Sequence, residues 1–202
     1  MSSDKRDLQP GTQDARRDRP QGFAEQSDEL RAALTDIDGW HERIGEVVQR
    51  LRTAFAAART VFVAGNGGSA TLAQHLADEM VGRYRSDRRP YPVVALTADS
   101  AVLTCIANDY GFEQVFARQI EALGRRDDVF IAFSTSGNSD NILAACRQAK
   151  DQGLTVIGFS GPEGQLKDVA DMAVVSPAAS TARVQEMDLH AIHLICEAFE
   201  SP

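Results

Sequence analysis

Two short segments of the chain hold the residue types that cradle a small anion: Gly65-Asn66-Gly67-Gly68-Ser69 and Ser134-Thr135-Ser136-Gly137-Asn138-Ser139. Glycine lets the backbone approach a ligand closely and take positive φ, and a helix starting just after such a loop offers free N–H groups and a favourable dipole. The second segment adds four hydroxyls in six positions, Ser134, Thr135, Ser136 and Ser139. Each can donate to a phosphate oxygen without bringing positive charge, so this neutral cradle fits a phosphomonoester. Neither segment has the Gly-Lys-Ser/Thr ending of a nucleotide P-loop or a full G-x-G-x-x-G fingerprint. The competing expectation is a turn with a helix cap, supplied by Ser69 or Asn138. Two further pairs could move protons. His75 and Glu79 are four residues apart, so on a helix they project from one face and can meet at a metal or a substrate. Gln185 and His193 are eight apart. On a helix that spacing is about 80° around the axis, close enough to share a side. The plainer alternatives are a hydrogen-bonded helix histidine for His75 and a satisfied core histidine for His193. His190 ranks below His193, His41 sits in a charged helix with no expected chemistry, and Trp40 reads as a packing residue.

The elements that must carry these groups follow from the hydrophobic pattern. Short β-branched runs at 60–64 (TVFVA), 92–96 (PVVAL), 128–133 (DVFIAF), 154–159 (LTVIGF) and 172–175 (MAVV) read as strands. Helical stretches are expected at 70–80, 111–123, 138–152, 165–170 and 181–199. Residues 23–58 carry Leu30, Leu34, Ile37, Ile44, Val47, Val48, Leu51 and Phe55 mostly at three- and four-residue spacings, an amphipathic helical arm broken near Asp36, Asp38 and Gly39. Nearly continuous apolar strands alternating with helices predict a doubly wound α/β domain, with a five-stranded parallel sheet covered on both faces. In that fold ligands collect outside the carboxyl ends of the strands. Both anion loops follow a predicted strand.

Composition narrows the class. The chain has 202 residues, 43% of them apolar, and a formal net charge of −8 from 29 acids and 21 strong bases. A chain of this size buries on the order of 70% of its unfolded surface, so one core needs no staple. The acidic balance argues against a nucleic-acid binder that neutralises phosphates over a broad basic face. No apolar run approaches the ~20 residues that span a bilayer, and the N-terminus has no signal-peptide core. Three cysteines, Cys105, Cys146 and Cys196, lie in apolar stretches and read as buried, reduced thiols, which points to a cytoplasmic setting. Residues 1–22 carry five bases, four acids and two prolines with almost no large apolar side chains, and read as a disordered tail ahead of a single domain over 23–202. Arg83, Arg85, Arg88 and Arg89 form the one dense basic patch outside that tail, expected to be a solvated loop, with a subunit contact or substrate approach as the alternative.

The motifs GNGGS, EMVGRYR, IANDYGF, STSGNS and RVQE, in this order and approximate spacing, resemble those of sugar isomerase (SIS) domain proteins, specifically the phosphoheptose isomerases. The resemblance runs from about residue 25 to the C-terminus. It implies an aldose–ketose isomerase that converts D-sedoheptulose 7-phosphate to D-glycero-D-manno-heptose 7-phosphate through an enediol. By the same resemblance Glu79 shuttles a proton between C1 and C2, and His193 serves the oxygens. Sugar contacts fall to Asn66, Gly67, Gly68, Asn108 and Asp109, and phosphate contacts to Ser69, Ser134, Ser136 and Ser139, with Thr135 in support. Some members bind zinc through positions matching His75, Glu79, Gln185 and His193, and the resemblance implies a homotetramer. A loop cap is the plainer alternative for Asn108 and Asp109. Two positions depart from the pattern: Leu72 where an Asp or Asn often stands, and Asp188 where a His usually follows. The rival class is a non-catalytic SIS-domain protein that associates with a replication initiator or senses a sugar phosphate. The presence of both Glu79 and His193 favours the enzyme.

Overall fold

The computed structural model describes residues 22–35 and 37–200. The tail expected over residues 1–22 therefore lies, except for Gly22, outside the described residues. The helical arm is two helices, α1 (Phe23–Ala33) and α2 (Asp38–Ala56), with the break where the sequence places it. Five strands follow: β1 (Val61–Gly65), β2 (Val93–Ala95), β3 (Val129–Ser134), β4 (Thr155–Ser160) and β5 (Met172–Val175). Each lies within a residue or so of its expected position. They form one all-parallel sheet in the order β2-β1-β3-β4-β5.

The connecting helices are α3 (Gly68–Val81), α4 (Ser100–Tyr110), α5 (Ala117–Leu123), α6 (Asp140–Asp151), α7 (Leu166–Val169) and α8 (Thr181–Ala198). The period-2 alternation of a strand decides which side chain meets which layer. Val61, Val63, Ile131, Phe133, Ile157 and Phe159 point to the core shared with α2, α3 and α8. Phe62, Ala64, Phe130, Ala132 and Val156 point to the opposite core, with side chains of α4, α5, α6 and α7. Every residue of β1 and β3 is buried, the signature of a sheet covered on both faces. The buried Asp128 carboxylate ties the strand starts together, accepting from the amides of Thr60 and Arg125, each at 2.9 Å.

Three expectations need correction. Residues 100–110, left without an element, form α4; the Asp99 side chain caps it by accepting from the amides of Ala101 and Val102. The single helix expected over 111–123 is instead a 3-10 turn, Phe112–Gln114, followed by the short α5, and Gly111 at φ 90° separates that turn from α4. Cys105 lies on the outer face of α4 and is exposed, so only Cys146 and Cys196 are buried thiols, each pushed up to about 12 chiefly by burial.

Phe130 sits fully buried in the central strand. Phe130→Ala is expected to lose roughly 3–5 kcal/mol of stability, by the removal of buried apolar surface and the cavity left behind. Urea unfolding followed by far-ultraviolet circular dichroism measures it.

Candidate active site

The strand order reverses between β1 and β3, and in a sheet of order 2-1-3-4-5 that switch point is where a crevice opens for a ligand. Both glycine-containing loops leave from it. β1 and β3 are paired with Gly65 opposite Phe133, so the loops emerge side by side. They are joined by a reciprocal pair of amide bonds, Asn66 Nδ2 to Asn141 Oδ1 and Asn141 Nδ2 to Asn66 Oδ1, both 2.8 Å. Asn141 is buried and was not singled out from the sequence. Its signal was its place as the second residue of α6, two positions past STSGNS and directly before the apolar pair Ile142 and Leu143.

Neither loop is a side-chain cap, which removes the capping explanation for Ser69 and Asn138. The residue before α3 is Gly67, at φ 54°, and the residue before α6 is Ser139, whose side chain caps nothing. The Ser139 hydroxyl instead lies 3.0 Å from that of Ser134. Ser136 Oγ accepts from the Asn138 amide at 3.2 Å, and Asn138 Oδ1 accepts from the Gln165 amide at 3.2 Å. Gly137, at φ 65°, could not take a side chain without striking the Glu163 carbonyl oxygen. The second loop is thus a compact turn rimmed by Thr135, Ser136 and Ser139, with Ser134 buried beneath.

α3 leaves the first loop carrying His75 and Glu79, and α8 packs across it carrying Gln185 and His193. Gln185 lies over Gly68: a Cβ there would come within 2.5 Å of its amide nitrogen. The two histidine rings meet, Nε2 to Nε2 at 3.0 Å, and His75 Nε2 is 3.7 Å from Glu79 Oε1. Tyr84 adds a ring 5.8 Å from that of His193. Three residues from two helices that are far apart in sequence therefore converge. Asp78 joins the edge of the group, 3.9 Å from His75 Nδ1, although its side chain is exposed. Tetrahedral zinc with ~2.0–2.1 Å bonds sets neighbouring donor atoms about 3.3 Å apart. The 3.0 and 3.7 Å separations bracket that value, and two imidazoles with a carboxylate are a zinc-competent donor set.

A family model described as SIS domain matches residues 25–161. The chain is 42% identical over 170 residues to a phosphoheptose isomerase of Helicobacter pylori (strain P12), covering 84% of this chain and 88% of that protein. Among solved structures, phosphoheptose isomerases of Francisella tularensis and Neisseria gonorrhoeae superpose with TM-scores of 0.84 and 0.80, at 30% and 34% identity, each covering 89% of this chain and 96% of the other. The chain belongs to the phosphoheptose isomerase family of SIS-domain proteins. It is a sugar-phosphate isomerase, and the non-catalytic alternative is set aside.

Other positions fall outside the converging group. Asn108 and Asp109 lie exposed on α4, not in a loop, with Asn108 Nδ2 donating to Asp109 Oδ1 at 2.7 Å. Among the described residues no hydrogen bond links them to either loop. His190 stacks on Trp40, ring centroids 5.7 Å apart, with His41 beside it; burial, then His41 and His193, lowers its basicity. Leu72 is buried in the core between α3 and α8, doing apolar work.

Asp188 is the other departure from the family pattern. It is 3% exposed on the inner face of α8, its Oδ2 has no hydrogen-bonding partner, and burial pushes its carboxyl up to about 7 from an ordinary 3.8. The folded state therefore holds a proton that the unfolded chain releases near pH 4. Stability from this group is fully present below that pH and is lost as pH rises through about 7. Asp188→Asn is expected to flatten the decline, by a few kcal/mol at pH 8 relative to pH 4. Chemical denaturation of both proteins at a series of pH values checks this.

Proposed function

We propose that this isomerase interconverts D-sedoheptulose 7-phosphate and D-glycero-D-manno-heptose 7-phosphate. The observation that carries the reading is the juxtaposition, at one switch point, of a neutral hydroxyl-and-glycine cradle with the His75–Glu79–His193 group. A phosphate held by Ser69, Ser134, Thr135, Ser136 and Ser139 anchors one end of an open-chain sugar. Asn66, Gly67, Gly68 and Gln185 face its hydroxyls, and Asn108 and Asp109, exposed on α4, are the further sugar contacts that the family resemblance implies. Glu79 takes one proton from C1 of the ketose, which leaves an enediol, exchanges it with solvent while the enediol lasts, and delivers a proton to C2. His193 passes a proton from the C1 oxygen to the C2 oxygen. The aldose forms with the same atoms and no net redox change.

His75, Glu79, Gln185 and His193 are the residues that would hold zinc. When bound, zinc would supply a Lewis acid that polarises the sugar carbonyl. The active unit in this reading is a homotetramer. The single chain leaves Val102, Tyr110 and Phe112 exposed around Asn108 and Asp109, an apolar surface that a neighbouring subunit would cover. The three cysteines are free, as in a reducing, cytoplasmic setting, and among the described residues no helix is long and apolar enough to cross a membrane.

Incubation with sedoheptulose 7-phosphate in deuterated water, followed by NMR, is expected to show the aldose with deuterium at C2. A folded, zinc-supplied protein that gives neither product nor exchange would sink this reading. Glu79→Gln and His193→Gln should each lower kcat by ~10²–10⁴-fold, the usual worth of one acid–base group. Zinc is expected to bind the wild-type chain in calorimetry and to bind His75→Ala at least ~10-fold more weakly, a loss comparable with that of other ligand-shell changes.

A further inference from the structure

The basic segment Arg83–Arg89 is neither a uniformly solvated loop nor a free anion patch. Arg83, Arg85 and Arg89 are exposed, but the Arg88 side chain is only 10% exposed, and its partner Glu200 is 9% exposed. Arg88 Nε donates to Glu200 Oε1 at 3.2 Å. The rest of the guanidinium turns to the end of α3: Nη2 donates to the carbonyl oxygen of Glu79 at 2.8 Å, and Nη1 to that of Met80 at 3.1 Å. The last carbonyls of a helix have no partners within it and carry the negative end of its dipole, so a buried cation is well placed there. The amides of Gly82 and Tyr91 satisfy Asp78 and again Met80, at 2.7 and 3.0 Å. The final turn of α3, the one that bears Glu79, is thus closed by Arg88.

Glu200 holds the other side. Its Oε2 accepts from the Ser86 amide at 2.8 Å and from the Ser86 hydroxyl at 2.6 Å. These bonds, the Ser86 hydroxyl first, draw its carboxyl down to about 2, so it is charged at neutral pH. Nearby, Arg85 Nη1 and Nη2 reach the two Glu197 oxygens at 3.1 and 3.0 Å, and the Arg85 guanidinium sits 5.3 Å from the Tyr84 ring centroid. The Tyr84 ring in turn lies 5.8 Å from that of His193. One loop therefore grips the end of the helix that carries Glu79 and packs a ring against the histidine it works with.

We propose that Arg88 and Glu200 are positioning residues, a buried clamp that fixes the last turn of α3 and the Tyr84 ring so that Glu79 and His193 face the substrate in register. The proposal rests on the assignment of Glu79 and His193 as the acid–base pair. Neither clamp residue touches substrate, so their loss acts on kcat with KM held.

Arg88→Ala, Arg88→Lys and Glu200→Gln are compared with wild type at a temperature where circular dichroism shows each folded, together with Tyr84→Ala and Tyr84→Phe. Expected is a fall in kcat of about 10- to 100-fold for Arg88→Ala, the scale of a misplaced catalytic group. Glu200→Gln, which keeps acceptors for Ser86 and loses the charge, falls less. Arg88→Lys recovers little, because one ammonium cannot bond Glu79, Met80 and Glu200 together. Tyr84→Phe restores the loss seen in Tyr84→Ala, and the exposed neighbour change Arg89→Ala leaves kcat as it was. A KM held within about twofold marks lost transition-state alignment and not lost binding. The proposal is overturned if folded Glu200→Gln and Arg88→Lys both keep wild-type kcat, or if they raise KM alone. Glu79→Gln and His193→Gln run beside them separate the two readings: full activity there removes the acid–base assignment itself, whereas their inactivity with wild-type kcat in both Glu200→Gln and Arg88→Lys removes only the clamp.

Discussion

Every functional feature depends on the parallel pairing of β1 with β3. The register that sets Gly65 opposite Phe133 delivers two loops at one height on one edge of the sheet. Only adjacency lets Asn66 and Asn141 close their reciprocal bonds, and a crevice opens there because helices from the two loops depart toward opposite faces. α3 begins in the first loop and runs under α8, so the anion cradle and the proton-transfer group share one rigid helix as their common reference. Gly68 completes the arrangement: a Cβ there would collide with the Gln185 amide and force that side chain off the loop.

The electrostatics follow from where charge is placed. In the proposed reading a chain of net charge −8 binds a phosphate through backbone amides and hydroxyls, which need no counter-charge. Two arginines of the basic segment are engaged internally, while Arg83 and Arg89 stay exposed. Arg88 is shared between Glu200 and the end of α3, and Arg85 forks onto Glu197. Paired in this way they bring order to an eleven-residue connection.

Strand positions and the two anion loops are legible in sequence because both are local: β-branched runs bounded by glycine, and glycine or hydroxyl clusters directly after them. α4 is not legible in the same way. Its residues 100–110 lack a strong apolar stripe, bury only Ile106, and are started by the Asp99 cap, a signal easily taken for a loop. The pairing of His75 with His193 is half legible. Spacing shows that each shares a helix face with a partner, but the 3.0 Å meeting of the two rings spans 118 positions and exists only through the packing of α3 on α8. The Arg88–Glu200 clamp spans 112 positions, and nothing in a run of four nearby arginines marks which one is buried. Cys105 was misjudged for a related reason: an apolar neighbourhood in sequence does not say which side of a helix faces inward.

The division of labour between loops and helices has a physical basis. Anion binding tolerates small displacements, because several donors share the load and hydroxyls rotate to suit. Proton transfer to and from carbon does not, since the reacting atoms must approach within hydrogen-bonding reach in a fixed direction. In the proposed reading the chain puts the tolerant task on turns and the exacting one on two packed helices, where rotamers are held by neighbours. Helix ends are the weak points of such a scheme, because their backbone groups are unsatisfied and the last turn frays. Glu79 sits two residues before the end of α3, the least favourable place on that helix for a residue whose angle matters. A guanidinium bonded to the carbonyl of that very residue, neutralised by a carboxylate from the far end of α8, removes the weakness. It also ties the ends of the two helices whose middles must meet.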